Sequence, residues 1–321
     1  MKDNIYNNLK IKLPEIKQDV LLKDFTTFKI GGNAKYFCAI KNSQELRDLI
    51  YWAKEKKINF FILGGGSNLL ISDKGFNGLV IKLQITNYKL QKNKVLVDAG
   101  VGLSKLVTLA LENSLAGIDW ASGIPGSVGG AIYGNAQAFG SRISDNLIEV
   151  QYFDTKSLKI KKIFKKQCKF TLKNSIFKKN KNLIVLSAVF GFKKGNKEEI
   201  RKNVIEHINY RRKNHPIKFP SAGSVFVNTE KKITNNKLLA KFPELKYFNS
   251  KGAIPSGYLI EKCGLSGKQI GGAKFSDIHA NFIVNTGDAK AKDVLKLIKL
   301  AKQKVKKIFN INLETEIQFL K

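Results

Sequence analysis

A chain of 321 residues that is 43% apolar and 26% charged has ordinary globular usage, which excludes bulk disorder and collagen-like repeats and predicts two or three packed units. The formal net charge is +32, but 52 of the 57 basic residues are lysine and only five are arginine, spread along the whole chain. That pattern argues against a nucleic-acid surface, where the bidentate arginine fork is favoured, and for a lysine-biased genome.

Residues 1–20 are expected as an N-terminal extension. A first unit over 21–83 opens with TTFKIGGNAKYF, a strand-like run bent by Gly31 and Gly32. Ser43 starts a helix whose stripe is Leu46, Leu49, Ile50 and Ala53. NFFILGGGSNLLIS then reads as an apolar strand that breaks into glycines and resumes, and GLVIKL closes the unit as another strand. A second unit over 84–212 begins with the strand VLVDAG and a helix near Ser104–Asn113. Its stretch Gly117–Gly140 holds seven glycines and little charge, a composition that predicts a tightly folded loop system. The strand Leu183–Phe192 and a polar helix near Lys197–Lys213 follow. A third unit over 213–310 contains SAGSVFVN, a short helix stopped by Gly264, HANFIVN, and a long amphipathic helix with Val294, Leu297, Ile298, Ala301, Val305 and Ile308 on one face. The closing segment Leu313–Leu320 alternates strictly, as a strand would, and is assigned with 311–321 to the second unit. Strands and helices mixed in this order define an α+β class.

No run approaches the ~18–20 apolar residues of a membrane helix, and the first twenty residues lack the hydrophobic stretch of a secretory signal, so a cytoplasmic protein is expected. Cys38, Cys168 and Cys263 have no CxxC spacing, and His207, His215 and His279 form no HExxH pair. Reduced thiols and no metal centre are expected.

Two uncharged glycine turns carry the first chemical signal. Gly64-Gly65-Gly66-Ser67-Asn68 follows an apolar strand, and Gly123-Ile124-Pro125-Gly126-Ser127-Val128-Gly129-Gly130 lies about sixty residues on. Turns without Cβ atoms let backbone N–H groups approach a phosphate. The first is neither a dinucleotide fingerprint nor a Walker loop, and alone it reads equally as a plain tight turn. The second could be a buried crossing loop, but Ser127 and Asn135 offer polar groups that packing would not require, so the two turns are expected to converge on a pyrophosphate through neutral N–H and hydroxyl donors. Ser224 has no GxSxG elbow and by itself reads as a turn hydroxyl. Glu316 by itself reads as a solvated edge carboxylate.

Taken in order, TFKIGG, LGGGSNLL, SGIPGSVGGA with GNAQAFG, SAGSVF, HANFIVN and LETEIQF resemble the UDP-N-acetylenolpyruvoylglucosamine reductases of peptidoglycan synthesis, from about Asp24 to Phe319. The absence of a long central insertion is similar to the shorter, type II branch. The resemblance implies a two-part FAD-binding region of the vanillyl-alcohol-oxidase type over 21–83 and 84–212, plus an α+β substrate-binding domain over 213–310. It implies noncovalent FAD, NADPH as co-substrate, and UDP-N-acetylglucosamine enolpyruvate as the acceptor, with no nucleic-acid partner and a monomeric state. NADPH would give a hydride to the flavin and leave; the reduced flavin would then deliver hydride to the vinyl carbon, yielding UDP-N-acetylmuramate.

Carried over by position, Ser224 matches the family's proton donor and Glu316 its carboxyl group near the enolate. The family's Tyr-Arg pair falls on Leu172-Lys173, so Lys173 would supply the positive charge without a guanidinium's two-point grip. Arg211 or Arg212 lies where a compensating arginine is expected. Ile30, Gly31, Gly64, Gly65, Gly66, Ser67, Asn68, Ile124, Pro125, Gly126, Ser127 and Gly130 match the flavin loops, as does Arg211 their surroundings. Lys213 (or Asn214) and Asn228 fall on substrate-binding positions. Two rivals stand beside this reading. One is another FAD oxidoreductase on the same scaffold, although no histidine for tethering flavin occurs in the first 206 residues. The other is a basic polyanion-binding protein without a chromophore.

Overall fold

The structure, a computed structural model, describes Lys10 and residues 15–321; most of the expected 1–20 extension lies outside the described residues. The chain divides into two compact units, each assembled from separate stretches. One takes residues up to Val20, Asn33–Gly65 and Phe76–Arg211, and the other takes Leu21–Gly32, Gly66–Gly75 and Arg212–Lys321.

The first unit contains two sheets. In the smaller, Lys17–Leu21, Asn33–Ile40, Phe76–Leu83 and Phe60–Leu63 lie side by side in that order. Phe76–Leu83 runs parallel to both of its neighbours, so long connections must cross over. One crossover is the helix Ser43–Glu55, which buries the expected Leu46, Leu49, Ile50 and Ala53 and adds Trp52. Its N-terminus is fixed by Asn42, whose Oδ1 accepts from Glu45 N at 2.9 Å. The larger sheet orders Lys159–Phe164, Leu147–Asp154, Leu183–Gly191, Lys94–Asp98 and Tyr88–Gln91, antiparallel throughout. Val150, Phe153, Ala188, Phe190, Val95 and Val97 fill one core with Leu103, Leu106 and Ala110 of the helix Leu103–Glu112. Each buried Val, Leu or Phe among them contributes roughly 1.5–3 kcal/mol.

The stretch 117–140, expected as loop throughout, instead folds around a seven-residue helix, Val128–Gly134. Val128, Ala131 and Ile132 give it a face to bury, Ser127 caps its start, and Asn135 ends it at φ +45.

The second unit is built on an antiparallel sheet ordered Ser221–Ser224, Phe282–Asn285, Ala273–Phe275, Gln269–Ile270. The long helix Ala291–Phe309 covers it, burying Val294, Leu297, Ile298, Ala301 and Val305 as the periodicity predicts. Phe309 completes that face, whereas Ile308 is 37% exposed. The short helix Ser256–Lys262 ends as expected before Gly264, whose φ is +65.

The terminal segment departs from strict alternation. Leu313, Ile317 and Leu320 are buried while Phe319 is exposed, so the period slips after Ile317. Its regular ladder is confined to Gln318–Leu320, paired in parallel with Leu69–Ile71. That pairing places the last strand in the second unit, with 66–75, and not with residues 84–212.

Candidate functional site

In the first unit the two glycine turns come together. Leu103 N donates to Gly126 O at 3.0 Å, and Val128 N donates to Val101 O at 2.8 Å, which lays the second turn along residues 101–103. Against it lies the first turn. A Cβ added to Gly64 would stand 2.7 Å from Ser127 Oγ, and one added to Gly65 would stand 2.5 Å from Gly126 Cα. Only glycine permits this approach. The resulting cleft, about 320 Å³, is lined by Gly64, Gly65, Lys82, Gln84, Gly126 and Ser127 among others. Its lining of backbone and hydroxyl groups, with one lysine and no acidic side chain, fits a cofactor diphosphate.

Ser127 Oγ also accepts from Gly130 N at 3.4 Å, closing the first turn of the helix. Ile124 is half-buried and Pro125 exposed. Arg211 sits behind this loop: its Nε donates to Ser122 O at 2.8 Å and an Nη to Trp120 O at 3.4 Å. Its guanidinium also lies 5.2 Å from the centroid of Phe139. Burial lowers its pKa, and its contacts are those of a strut for the 120–123 backbone.

Sequence reasoning passes over Lys82, whose ammonium donates to Gly64 O and whose pKa burial pulls down. The available signal was a lone charge inside the apolar run GLVIKL. Asn135, a polar group that packing alone would not require, takes a structural part. Leu172 and Lys173 form the tip of a hairpin in which Thr171 and Asn174 exchange backbone bonds of 3.1 and 3.2 Å. Asn135 Nδ2 holds Thr171 O at 2.9 Å, and Lys178 Nζ holds Lys173 O at 2.9 Å. Lys173 itself has φ +51, a left-handed conformation that is costly for a side chain with a Cβ.

In the second unit Ser224 and Glu316 come together. Glu316 N donates to Val225 O at 2.8 Å and Val227 N to Glu314 O at 2.9 Å, so 225–227 runs antiparallel beside 314–316. Asn68, from the glycine run, joins them: its Nδ2 donates to Glu316 O at 3.2 Å, and its carbonyl accepts from Gln318 N at 2.9 Å. The TFKIGG segment is tied to the same place, with Thr27 Oγ1 donating to Ser221 O at 2.7 Å. Asn285 Nδ2 reaches Phe28 O at 3.2 Å.

Ile30 is buried in this unit's core, so only its backbone is available to a ligand. Gly31 is required by its φ of +144 and by Ile71 Cβ, 2.8 Å from where its own would stand. Gly66 and Ser67 belong to this unit, which divides the glycine run after Gly65. Asn228 is exposed, with Oδ1 accepting from Ser256 N at 3.1 Å. Lys213 is exposed on the last turn of the helix Lys197–Asn214.

Beside Ser224, its cross-strand partner Phe282 packs its ring 5.1 Å from His215 and 4.9 Å from His279. Burial lowers the pKa of His279. Among the described residues no group of three or more His, Cys, Asp or Glu is placed to hold a metal ion, and no helix is long and apolar enough to cross a membrane. The three cysteines are buried and free, and burial pushes each thiol up to about 11.

Comparison with known proteins gives this arrangement its class. A family model described as "FAD binding domain" matches residues 34–158, which makes the chain an FAD-dependent flavoprotein and bears out the α+β flavin-binding fold expected from the sequence. A second, described as "UDP-N-acetylenolpyruvoylglucosamine reductase, C-terminal domain", matches residues 215–320. The UDP-N-acetylenolpyruvoylglucosamine reductase of Caldicellulosiruptor bescii is 40% identical over 309 residues, covering 95% of this chain and 91% of that one. That of Fervidobacterium nodosum is 40% identical over 301 residues, covering 94% and 90%. Among solved structures, the reductase of Thermus caldophilus is similar with a TM-score of 0.76 at 30% identity, covering 95% of this chain and 100% of that chain. The chain belongs to the UDP-N-acetylenolpyruvoylglucosamine reductase family.

Proposed function

We infer that the chain is an FAD-dependent UDP-N-acetylmuramate dehydrogenase, reducing the enolpyruvyl ether of UDP-N-acetylglucosamine at the expense of NADPH. FAD would supply the two-electron hydride chemistry that links NADPH to the vinyl carbon. The residues of the first unit suited to hold it are the Gly64-Gly65 and Ile124–Ser127 turns and Gly130. The observation that carries the assignment of the proton-transfer groups is the 2.8 Å bond from Glu316 N to Val225 O, which sets a hydroxyl and a carboxyl on neighbouring stretches of one unit.

Their division of labour follows from charge. Hydride addition to a carbon–carbon bond conjugated with a carboxylate pushes negative charge onto the adjacent carbon and the carboxylate. Ser224 gives that carbon its proton. Glu316 is the carboxyl group that stands beside the developing enolate. Lys173 neutralises the substrate carboxylate as a point charge. Lys213 and Asn228 hold the UDP-sugar, and Arg211 keeps the 120–126 loop in place for the flavin. By the same reading the enzyme acts as a cytoplasmic monomer in peptidoglycan precursor synthesis, and so serves cell shape and division.

Ser224→Ala tests the central role. Flavin reduction by NADPH should stay near the wild-type rate, while flavin reoxidation by the enolpyruvyl sugar slows by ~10²-fold, the ordinary worth of a general acid. Equal slowing of the two halves would remove Ser224 from the proton transfer.

A further inference from the structure

The strand that presents Ser224 is irregular at the point where it matters. Ser221 pairs with Val284 and Ser224 with Phe282, so three steps on one strand face two on its partner. Gly223 absorbs the extra residue at φ +78. A bulge of this kind re-aims the side chain that follows it and interrupts the ladder. Beyond Ser224 no regular strand partner supplies the next residues on the Phe282–Asn285 side. Val225 and Phe226 are nevertheless 0% and 1% exposed, and buried backbone groups must be paired.

Asn281 does the pairing. Its backbone carbonyl accepts from Val225 N at 2.8 Å. Its side chain then takes both groups of the next residue: Oδ1 accepts from Phe226 N at 3.0 Å, and Nδ2 donates to Phe226 O at 2.8 Å. A carboxamide is the one short side chain with an acceptor and a donor at that spacing, and here it replaces a ladder residue. Asn281 is itself 3% exposed, and its own N–H donates to His279 Nδ1 at 3.2 Å. On the other flank Val225 O and Val227 N are bonded to Glu316 and Glu314. The stretch after Ser224 is therefore gripped on one side by Asn281 and on the other by the strand carrying Glu316.

We propose that Asn281 is a positioning residue for proton transfer: by locking Phe226 it fixes the direction in which the bulge aims the Ser224 hydroxyl. This rests on Ser224 being the donor. The test uses the flavin-loaded enzyme carrying Asn281→Asp, which keeps an acceptor for Phe226 N but sets a carboxylate against Phe226 O. Reoxidation by the enolpyruvyl UDP-sugar should slow by ~10-fold or more, as expected when a reacting group is misplaced. Reduction by NADPH should change less than about twofold, and the solvent deuterium isotope effect on reoxidation should rise.

The decisive arm is the Ser224→Ala background, where Asn281→Asp should add less than about twofold, because the two residues act as a unit. Equal slowing of both half-reactions, or the same factor appearing on top of Ser224→Ala, overturns the inference. If Ser224→Ala alone slows both halves alike, it is the donor assignment that fails. Should Asn281→Asp not yield flavin-bound protein, amide exchange on the wild-type holoenzyme decides. Val225 and Phe226 should be as protected as the strand Phe282–Asn285, and rapid exchange at either overturns the inference.

Discussion

Two glycines that line the cleft and a third that ends the helix capped by Ser127 should respond to the same substitution in three different ways. In Gly65→Ala the new Cβ would lie 2.5 Å from Gly126 Cα and 2.9 Å from Ser127 N, well inside the ~3.5–4 Å of an optimal carbon contact. Both obstacles are backbone, so relief requires the two turns to separate, at a cost of about 1–3 kcal/mol for an overpacked site. In Gly64→Ala the new atom meets Ser127 Oγ at 2.7 Å. A hydroxyl can rotate away, but it then gives up the cap on Gly130 N, a loss of ~1 kcal/mol. Gly134 has nothing within 4 Å of a Cβ and closes the helix Val128–Gly134, so Gly134→Ala should stabilise by about 0.5–1 kcal/mol. For a unit of this size each kcal/mol moves Tm by roughly 2–4 °C. Melting of the apoprotein should thus rank Gly134→Ala above wild type, then Gly64→Ala, then Gly65→Ala. Titration of the apoproteins with FAD, followed by flavin fluorescence, should show Kd weakened by ~10-fold or more for Gly65→Ala, a shift of about 1.4 kcal/mol. A Gly65→Ala protein that melts and binds FAD like wild type would refute the argument that the two turns are in backbone contact.

Other consequences can be checked separately. Lys173→Arg should keep or raise the rate of flavin reoxidation by substrate, and a collapse would show that lysine is required where the family has arginine. Lys173→Gly relieves the left-handed φ of +51 and should raise stability by about 1 kcal/mol while lowering turnover; a loss of stability would contradict the strain. With the three thiols buried and raised to about 11, the native protein should react negligibly with a disulfide reagent at pH 8, and three thiols should titrate in denaturant. His279, depressed by burial from an ordinary 6.5, is favoured neutral in the folded protein. Its contribution is complete above 6.5 and is lost as pH falls through the lower folded value. An NMR titration of its ring with a midpoint at or above 6.5 would contradict this.

Much of the fold is legible in sequence where one face of an element decides its burial. The helices Ser43–Glu55 and Ala291–Phe309 carry uninterrupted stripes, and the structure buries them nearly as written. The strand Leu147–Asp154 went unread because two register shifts, at Leu147/Glu149 and Gln151/Tyr152, break the period of two on which recognition depends. The helix Val128–Gly134 hid behind Gly129, Gly130 and Gly134, whose poor propensity is outweighed by the cap at Ser127 and the packing of Val128 and Ile132. At the site, motif order alone gathered Ser224 with Glu316 and Gly64 with Ser127. The partners of the supporting residues Asn135, Asn281 and Lys82 were invisible because they are backbone carbonyls and amides of segments far away in the chain. No local pattern encodes such a partner.

The interleaving of the two units bears on how this protein is made. Phe28, Ile30 and Leu70 emerge early from the ribosome, yet the core that shelters them draws on Val225, Phe226, Val294 and Ile317. Until the last hundred residues are translated, two short greasy ribbons have nowhere to dock. A fragment that stops at Arg211 would carry those ribbons bare. Cutting the gene at the helix Lys197–Asn214 should therefore yield a sticky, chaperone-seeking product in place of a tidy flavin-binding half.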